Sequence, residues 1–90
     1  MKKTMPLNYA ILKHFTTVKE ACAEDVIDAL KSDYASHKLL KRDAVIEAIM
    51  TAEANGLLEE TRYEMGADGN LRLYYHAHAE GKETINKYID

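Results

Sequence analysis

The spacing of apolar residues changes along the chain, and each change marks an element. Leu7, Ala10, Ile11, His14 and Phe15 recur at helical spacing behind Pro6, a residue tolerated at a helix start. Thr16 and Thr17 end that pattern, and Val18 to Ala21 leaves room for a minimal strand. A second helix is predicted from Ala23 to about Asp33. Glu24 and Asp25 fall in its first turn, where the helix dipole favours carboxylates. Its apolar stripe is Val26, Ile27 and Leu30, with Ala23 and Ala29 beside them. Tyr34-Ala35-Ser36-His37 has no period and reads as a turn.

The third helix is predicted from about Leu39 to Asn55, with Val45, Ile46, Ile49, Met50 and Ala52 at three- and four-residue steps. Either Ser36 or Asp43 could cap it. Asn55-Gly56 ends it, since glycine takes the left-handed conformation without steric cost. Leu57 and Leu58 follow as apolar anchors.

The period then becomes two. Thr61, Tyr63 and Met65 alternate with Glu60, Arg62 and Glu64, and Leu71, Leu73, Tyr75 and Ala77 alternate with Arg72, Tyr74 and His76. Gly66-Ala67-Asp68-Gly69-Asn70 between them is a turn signal, so the pair is predicted to be a β-hairpin. From Ala79 to Ile89 the helical period returns, with Gly81, Ile85 and Ile89 on one stripe and Tyr88 beside it. The absence of a side chain at Gly81 would let this helix approach a neighbour closely.

Composition sets limits on this scheme. Ninety residues, 47% hydrophobic and 30% charged, fit one small folded domain and are too apolar for a disordered chain. No apolar run reaches the roughly 18 to 20 residues of a membrane span, and MKKTMPLNYA has no apolar stretch fit for a signal peptide. A single cysteine rules out a disulfide framework and suits a reducing compartment. The expectation is one cytoplasmic domain, residues 1–90, that makes up the whole protein and has no membrane partner.

Charge divides the chain. Residues 1–42 carry eight Lys and Arg against five acids, a net +3, whereas residues 43–90 carry four against ten, a net −6. Local fields steer a polyanion more than net charge does, so the basic half keeps nucleic acid in view.

Helix, short strand, helix, helix, hairpin, helix is an order that resembles the winged helix-turn-helix domain over nearly the whole chain. The stretch AEANGLLEE at 52–60, with the hairpin directly behind it, is similar to the end of the third helix in winged-helix regulators. The tail YYHAHAEGKETINKYI is similar to the strand-to-helix junction of small bacterial winged-helix regulators, which often reads Tyr-x-Leu-Thr-x-Glu-Gly. Here Ala77 and His78 replace the Leu and Thr.

The resemblance implies an α+β fold with a three-helix core, a wing and a C-terminal helix. The helix-turn-helix would span about 23–55, the wing about 59–77 and the last helix about 79–89. It also implies a small transcriptional regulator that binds duplex DNA as a homodimer, with its third helix in the major groove. Carried over by position, the DNA-binding residues are Ser36, His37, Lys38, Lys41 and Arg42 around the start of the third helix, and Arg62 and Arg72 on the wing. Arg42 could read a guanine, and the lysines and arginines would neutralise phosphates. In such regulators the first and last helices often build the dimer, which here points to Tyr9, Ile85, Tyr88 and Ile89. Tyrosine suits a surface buried at one end and wet at the other.

Acidic residues open an alternative. Asp43, Glu47 and Glu53 lie along the third helix and Glu60, Glu64 and Asp68 along the wing. That distribution also fits a winged-helix protein–protein interaction module that does not bind DNA. Arg62 and Arg72 could equally pair across the strands with Glu60 or Glu64.

Catalysis finds no support in the sequence. There is no Ser/His/Asp arrangement, no glycine-rich phosphate loop and no paired-cysteine motif, and no cofactor is expected. His76 and His78 form a His-x-His, but no motif supplies a third metal ligand, so a structural or interface role is expected. Cys22 stands where Ser or Thr would cap the second helix. A helix dipole there could lower its pKa, although a half-buried structural residue is the simpler reading.

Overall fold

The computed structural model describes residues 5–35, 37–38 and 40–89. Its elements run α1 (Leu7–His14), α2 (Ala23–Tyr34), α3 (Arg42–Ala54), β1 (Glu59–Met65), β2 (Leu71–His76) and α4 (Ala79–Tyr88). Phe15, Ile11, Val26, Val45, Ile49 and Ile85 are its most deeply buried large side chains and form one core shared by all four helices.

Local chemistry explains most boundaries. Thr16 and Thr17 turn their hydroxyls back to the carbonyls of Lys13 and His14, at 2.7 and 2.8 Å, as α1 ends. At the start of α2, Cys22 and Asp25 form a capping box in which the Cys22 N–H donates to Asp25 Oδ2 at 3.2 Å. Sulfur accepts weakly, so the carboxylate arm carries the cap. Helix α3 ends in a Schellman motif. Gly56 has φ +79°, its N–H donates to the Glu53 carbonyl at 3.0 Å, and the Leu57 N–H donates to the Ala52 carbonyl at 2.9 Å. His78 caps α4, its Nδ1 accepting from the Gly81 N–H at 3.1 Å.

Strands β1 and β2 pair antiparallel, and the other edge of β2 is bridged by one residue, Ala21, whose N–H and carbonyl both bond Tyr75 at 2.9 Å. The minimal strand expected at Val18 to Ala21 is therefore this single bridge. It fastens the loop before α2 to the middle of the molecule. Helix α4 returns to the core over the Leu57 turn. A Cβ on Gly81 would lie 2.3 Å from the Leu57 carbonyl oxygen, so glycine is what allows that approach.

Four expectations need correction. Tyr34 is not a turn residue but the last residue of α2; it is buried, and its phenol donates to the Met5 carbonyl. Helix α3 begins at Arg42 rather than Leu39. Lys41 is its N-cap with no side-chain bond, and Asp43 lies inside the first turn. Ser36, the other expected cap, and Leu39 lie outside the described residues. Met50 is 54% exposed, because one residue beyond Ile49 the helix has rotated it out of the core.

Tyr74, on the face it shares with Arg72 and His76, is buried beneath the Arg62 guanidinium, 3.9 Å from its ring centroid. The alternation along β1 also breaks. Glu60 pairs with Tyr75 and Arg62 with Tyr74, leaving Thr61 as a bulge, so Glu60 and Arg62 face opposite sides.

Candidate nucleic-acid interface

Helices α2 and α3 with the turn between them form the helix-turn-helix. The turn closes through His37 N–H to the Tyr34 carbonyl at 2.9 Å and Leu40 N–H to the His37 carbonyl at 3.1 Å. Exposed His37 keeps its ring 6.1 Å from that of Tyr34, edge-on. Lys38 and Lys41 are exposed, and among the described residues neither ammonium has a hydrogen-bond or ion-pair partner. Ser36 lies outside the described residues.

Arg42 points elsewhere. Its Nε donates to Glu24 Oε2 at 2.9 Å, and a terminal nitrogen donates to the Leu71 carbonyl at 3.0 Å. One side chain thus joins the starts of α2 and α3 to the hairpin. Burial works to raise the Glu24 carboxyl, but the bonds from Arg42 and its own helix amide outweigh it and hold the group below its ordinary range.

The hairpin arginines are also engaged. Arg62 grips Glu20 Oε2 at 2.8 Å and Glu64 Oε2 at 2.8 Å while lying over Tyr74. Tyr74 in turn donates to Glu64 Oε1 at 3.1 Å, and Thr61 donates to Glu20 at 2.8 Å. Hydrogen bonds from Arg62 hold both carboxyls below their ordinary range. Arg62 pairs with Glu64 along its own strand rather than across strands as expected, and Glu60 is removed to the other face by the bulge. Arg72 folds over the turn, 4.0 Å from Asp68, and its Nε would lie 2.9 Å from a Cβ on Gly66.

The two histidines of the His-x-His have separate tasks. His76 Nε2 meets Glu59 Oε1 at 2.6 Å, and His78 Nε2 meets the Gly56 carbonyl at 3.1 Å while its Nδ1 caps α4. Among the described residues, no cluster of three or more metal-ligating side chains occurs.

Of the expected dimer residues, Ile85 and Ile89 are 2% and 7% exposed and belong to the core of the chain itself, because their stripe faces inward. Tyr9 and Tyr88, at 49% and 74%, point outward. Helices α1 and α4 lie side by side, joined by Lys13 Nζ to Asn86 Oδ1 at 2.6 Å.

Between α3 and the hairpin lies a cleft of about 210 Å3 lined by Ala23, Ile46, Ile49, Leu71, Leu73 and Tyr75, with Arg42 and Glu24 at its edge. Sequence reasoning missed this feature and the two carboxylates, Glu20 and Glu24, that occupy the arginines. Burial, with Glu53 and Glu60 nearby, pushes the Tyr75 phenol up. The run from Asp43 to Thr61 without a Lys or Arg was the available signal for that acidic side.

This arrangement has a solved counterpart. A PadR-like transcriptional regulator from Bacillus cereus superposes with a TM-score of 0.65, covering 91% of this chain and 76% of that one at 18% identity. The fold is a winged helix-turn-helix. The β1–β2 hairpin is its wing and α3 its third helix. No family model and no curated protein matches the sequence. Among the described residues, no helix is long and apolar enough to cross a membrane.

Proposed function

We propose that this protein is a winged-helix transcriptional regulator that binds duplex DNA in the cytoplasm as a homodimer, and that it is not an enzyme. The observation that carries the reading is the pair of exposed, unpaired lysines, Lys38 and Lys41, at the entrance to α3. In a helix-turn-helix the first residues of the third helix meet the duplex, and ammonium groups there displace counterions from phosphates. The likeness to a PadR-like transcriptional regulator supports it.

In this reading His37, Lys38 and Lys41, with Ser36 beside them, form the primary contact. Arg42, Arg62 and Arg72 each hold a carboxylate partner and would exchange it for phosphate only at the cost of that pair. Tyr9 and Tyr88 are the outward residues of the proposed dimer face on α1 and α4. A dimer would present two lysine pairs to two half-sites, which offsets the modest charge of each.

The test is a fluorescence titration against genomic duplex fragments at low and moderate salt. Binding at roughly micromolar concentration that weakens steeply with salt is the expected result. The Lys38→Glu, Lys41→Glu variant should lose that binding with its helical circular dichroism intact. Absence of binding at low salt would reject the DNA reading.

A further inference from the structure

Six large apolar side chains are exposed among the described residues, and only Tyr9 and Tyr88 lie on α1 and α4. The other four, Met50, Tyr63, Met65 and Leu71, belong to α3 and the wing. Cross-strand pairing sets Tyr63 opposite Leu73 and Met65 opposite Leu71, so these residues share one face of the wing. It is the face toward α3, because Leu71 and Leu73 line the cleft with Ile46 and Ile49. Met50 follows Ile46 by one helical turn and flanks the same side. The apolar strip therefore begins in the cleft and continues outward along the wing, the kind of contiguous patch that marks an interaction site.

The rim of this strip is acidic. Asp43 stands on α3 near the groove-lining Arg42, and Glu53 on α3 and Glu60 on β1 stand near the groove-lining Tyr75, whereas Glu47 faces the cleft on the α1 side of the helix. No Lys or Arg occurs from Asp43 through Thr61. Glu20, Glu24 and Glu64 are in ion pairs and Glu59 bonds His76, whereas among the described residues the three rim carboxylates have no hydrogen-bond or salt-bridge partner.

We infer that the groove between α3 and the wing is a docking surface for a cationic amphipathic segment of a partner protein. Its apolar side chains would seat on Met50, Tyr63, Met65 and Leu71, and its Lys and Arg on Asp43, Glu53 and Glu60. Charge complementarity selects this occupant. A phosphate backbone laid here would meet three carboxylates free of salt bridges. A second copy using the same face would oppose one acidic rim to another, since a two-fold interface sets like patch against like. The lysines of the DNA reading lie outside the groove, so either proposal can fail alone. A segment seated on this flank of α3 would exclude duplex DNA from it.

The test titrates the full chain into a labelled synthetic helix with Leu on one face and Lys on the other. A scrambled peptide of identical composition is the control. Saturable binding is expected, with the scrambled peptide weaker by about tenfold or more. Tyr63→Ser with Met65→Ser, and separately Glu53→Lys with Glu60→Lys, should each weaken binding by about tenfold with circular dichroism unchanged. Lys38→Glu with Lys41→Glu should not weaken it, whatever that variant does to DNA binding. No saturable binding, equal binding of the scrambled peptide, or indifference to both groove variants would overturn the proposal. So would sedimentation showing that the Tyr63→Ser, Met65→Ser variant dissociates a dimer, because the occupant would then be a second copy.

Discussion

Arg42 Nε lies 2.9 Å from Glu24 Oε2, tying the first residue of α3 to the first turn of α2, and the same guanidinium reaches the Leu71 carbonyl on the wing at 3.0 Å. A residue that position alone would assign to base reading thus holds three elements in register. Arg42→Gln should leave the helices folded but loosen the wing. Hydrogen exchange should quicken across the β1–β2 pairing by more than it does in α2, and the melting temperature should fall only by a few degrees. Uniform exchange changes across the chain would contradict the role.

Gly81 and Gly56 separate two reasons for glycine. At Gly81 a Cβ would meet the Leu57 carbonyl oxygen at 2.3 Å, with backbone on both sides, so Gly81→Ala should destabilise by roughly 2 to 4 kcal/mol. At Gly56 there is open space but φ is +79°, so Gly56→Ala should cost only about 1 to 2 kcal/mol. Urea denaturation of the two variants measures the difference, and a reversed order would show that α4 does not approach the Leu57 turn this closely.

Cys22 is buried, and burial pushes its thiol up rather than down. The helix dipole at this N-cap therefore does not yield a reactive cysteine. Alkylation in the folded protein near pH 8 should be slower than in denaturant by about a hundredfold or more, because it must await local opening. Comparable rates in both would show the thiol to be accessible.

The wing should be acid-sensitive. Hydrogen bonding to Arg62 holds Glu20 and Glu64 below their ordinary range, and His76 does the same for Glu59. A carboxyl whose folded pKa is depressed confers stability that is present above its unfolded value, about 4.3 for Glu, and lost as pH falls through the folded one. Wing pairing should therefore be intact at neutral pH and weaken below about pH 4. Exchange of β1 and β2 amides at falling pH, corrected for intrinsic rates, reads this directly. Exchange that stays unchanged down to about pH 3 would contradict the role of these carboxylates.

Tyr9 and Tyr88 carry the dimer proposal now that Ile85 and Ile89 are accounted for within the core. Tyr9→Asp with Tyr88→Asp should raise the dimer dissociation constant by about tenfold or more in sedimentation while stability per chain is nearly unchanged. Phe15→Ala, by contrast, should cost about 3 to 5 kcal/mol of folding stability, since that ring is fully buried. If the tyrosine variant unfolds the chain instead, those side chains pack internally and the dimer face lies elsewhere.

The elements could be read from sequence because their causes are local. The three- and four-residue recurrence in α1, α2 and α3, the Asn55-Gly56 stop and the Asp68-Gly69 turn all act within a few residues or through backbone conformation. Partnership was not legible in the same way. Arg62 finds Glu20 and Arg42 finds Glu24 and Leu71 across long separations, and no spacing rule links a guanidinium to a carboxylate on another element. The bulge at Thr61 reversed the face of Glu60, because a strand with exposed positions throughout has little burial to hold its register. The same limit applies to the surfaces. Periodicity grouped Met50 with the core and the family resemblance put Ile85 at an interface, and only packing decided that the first is outside and the second inside. The amino-acid sequence by itself determined a helix-turn-helix followed by a hairpin and a closing helix, through short-range propensity and period. Tertiary structure alone decided which charges remain free to meet a partner, because that depends on which side chains the fold has already brought together.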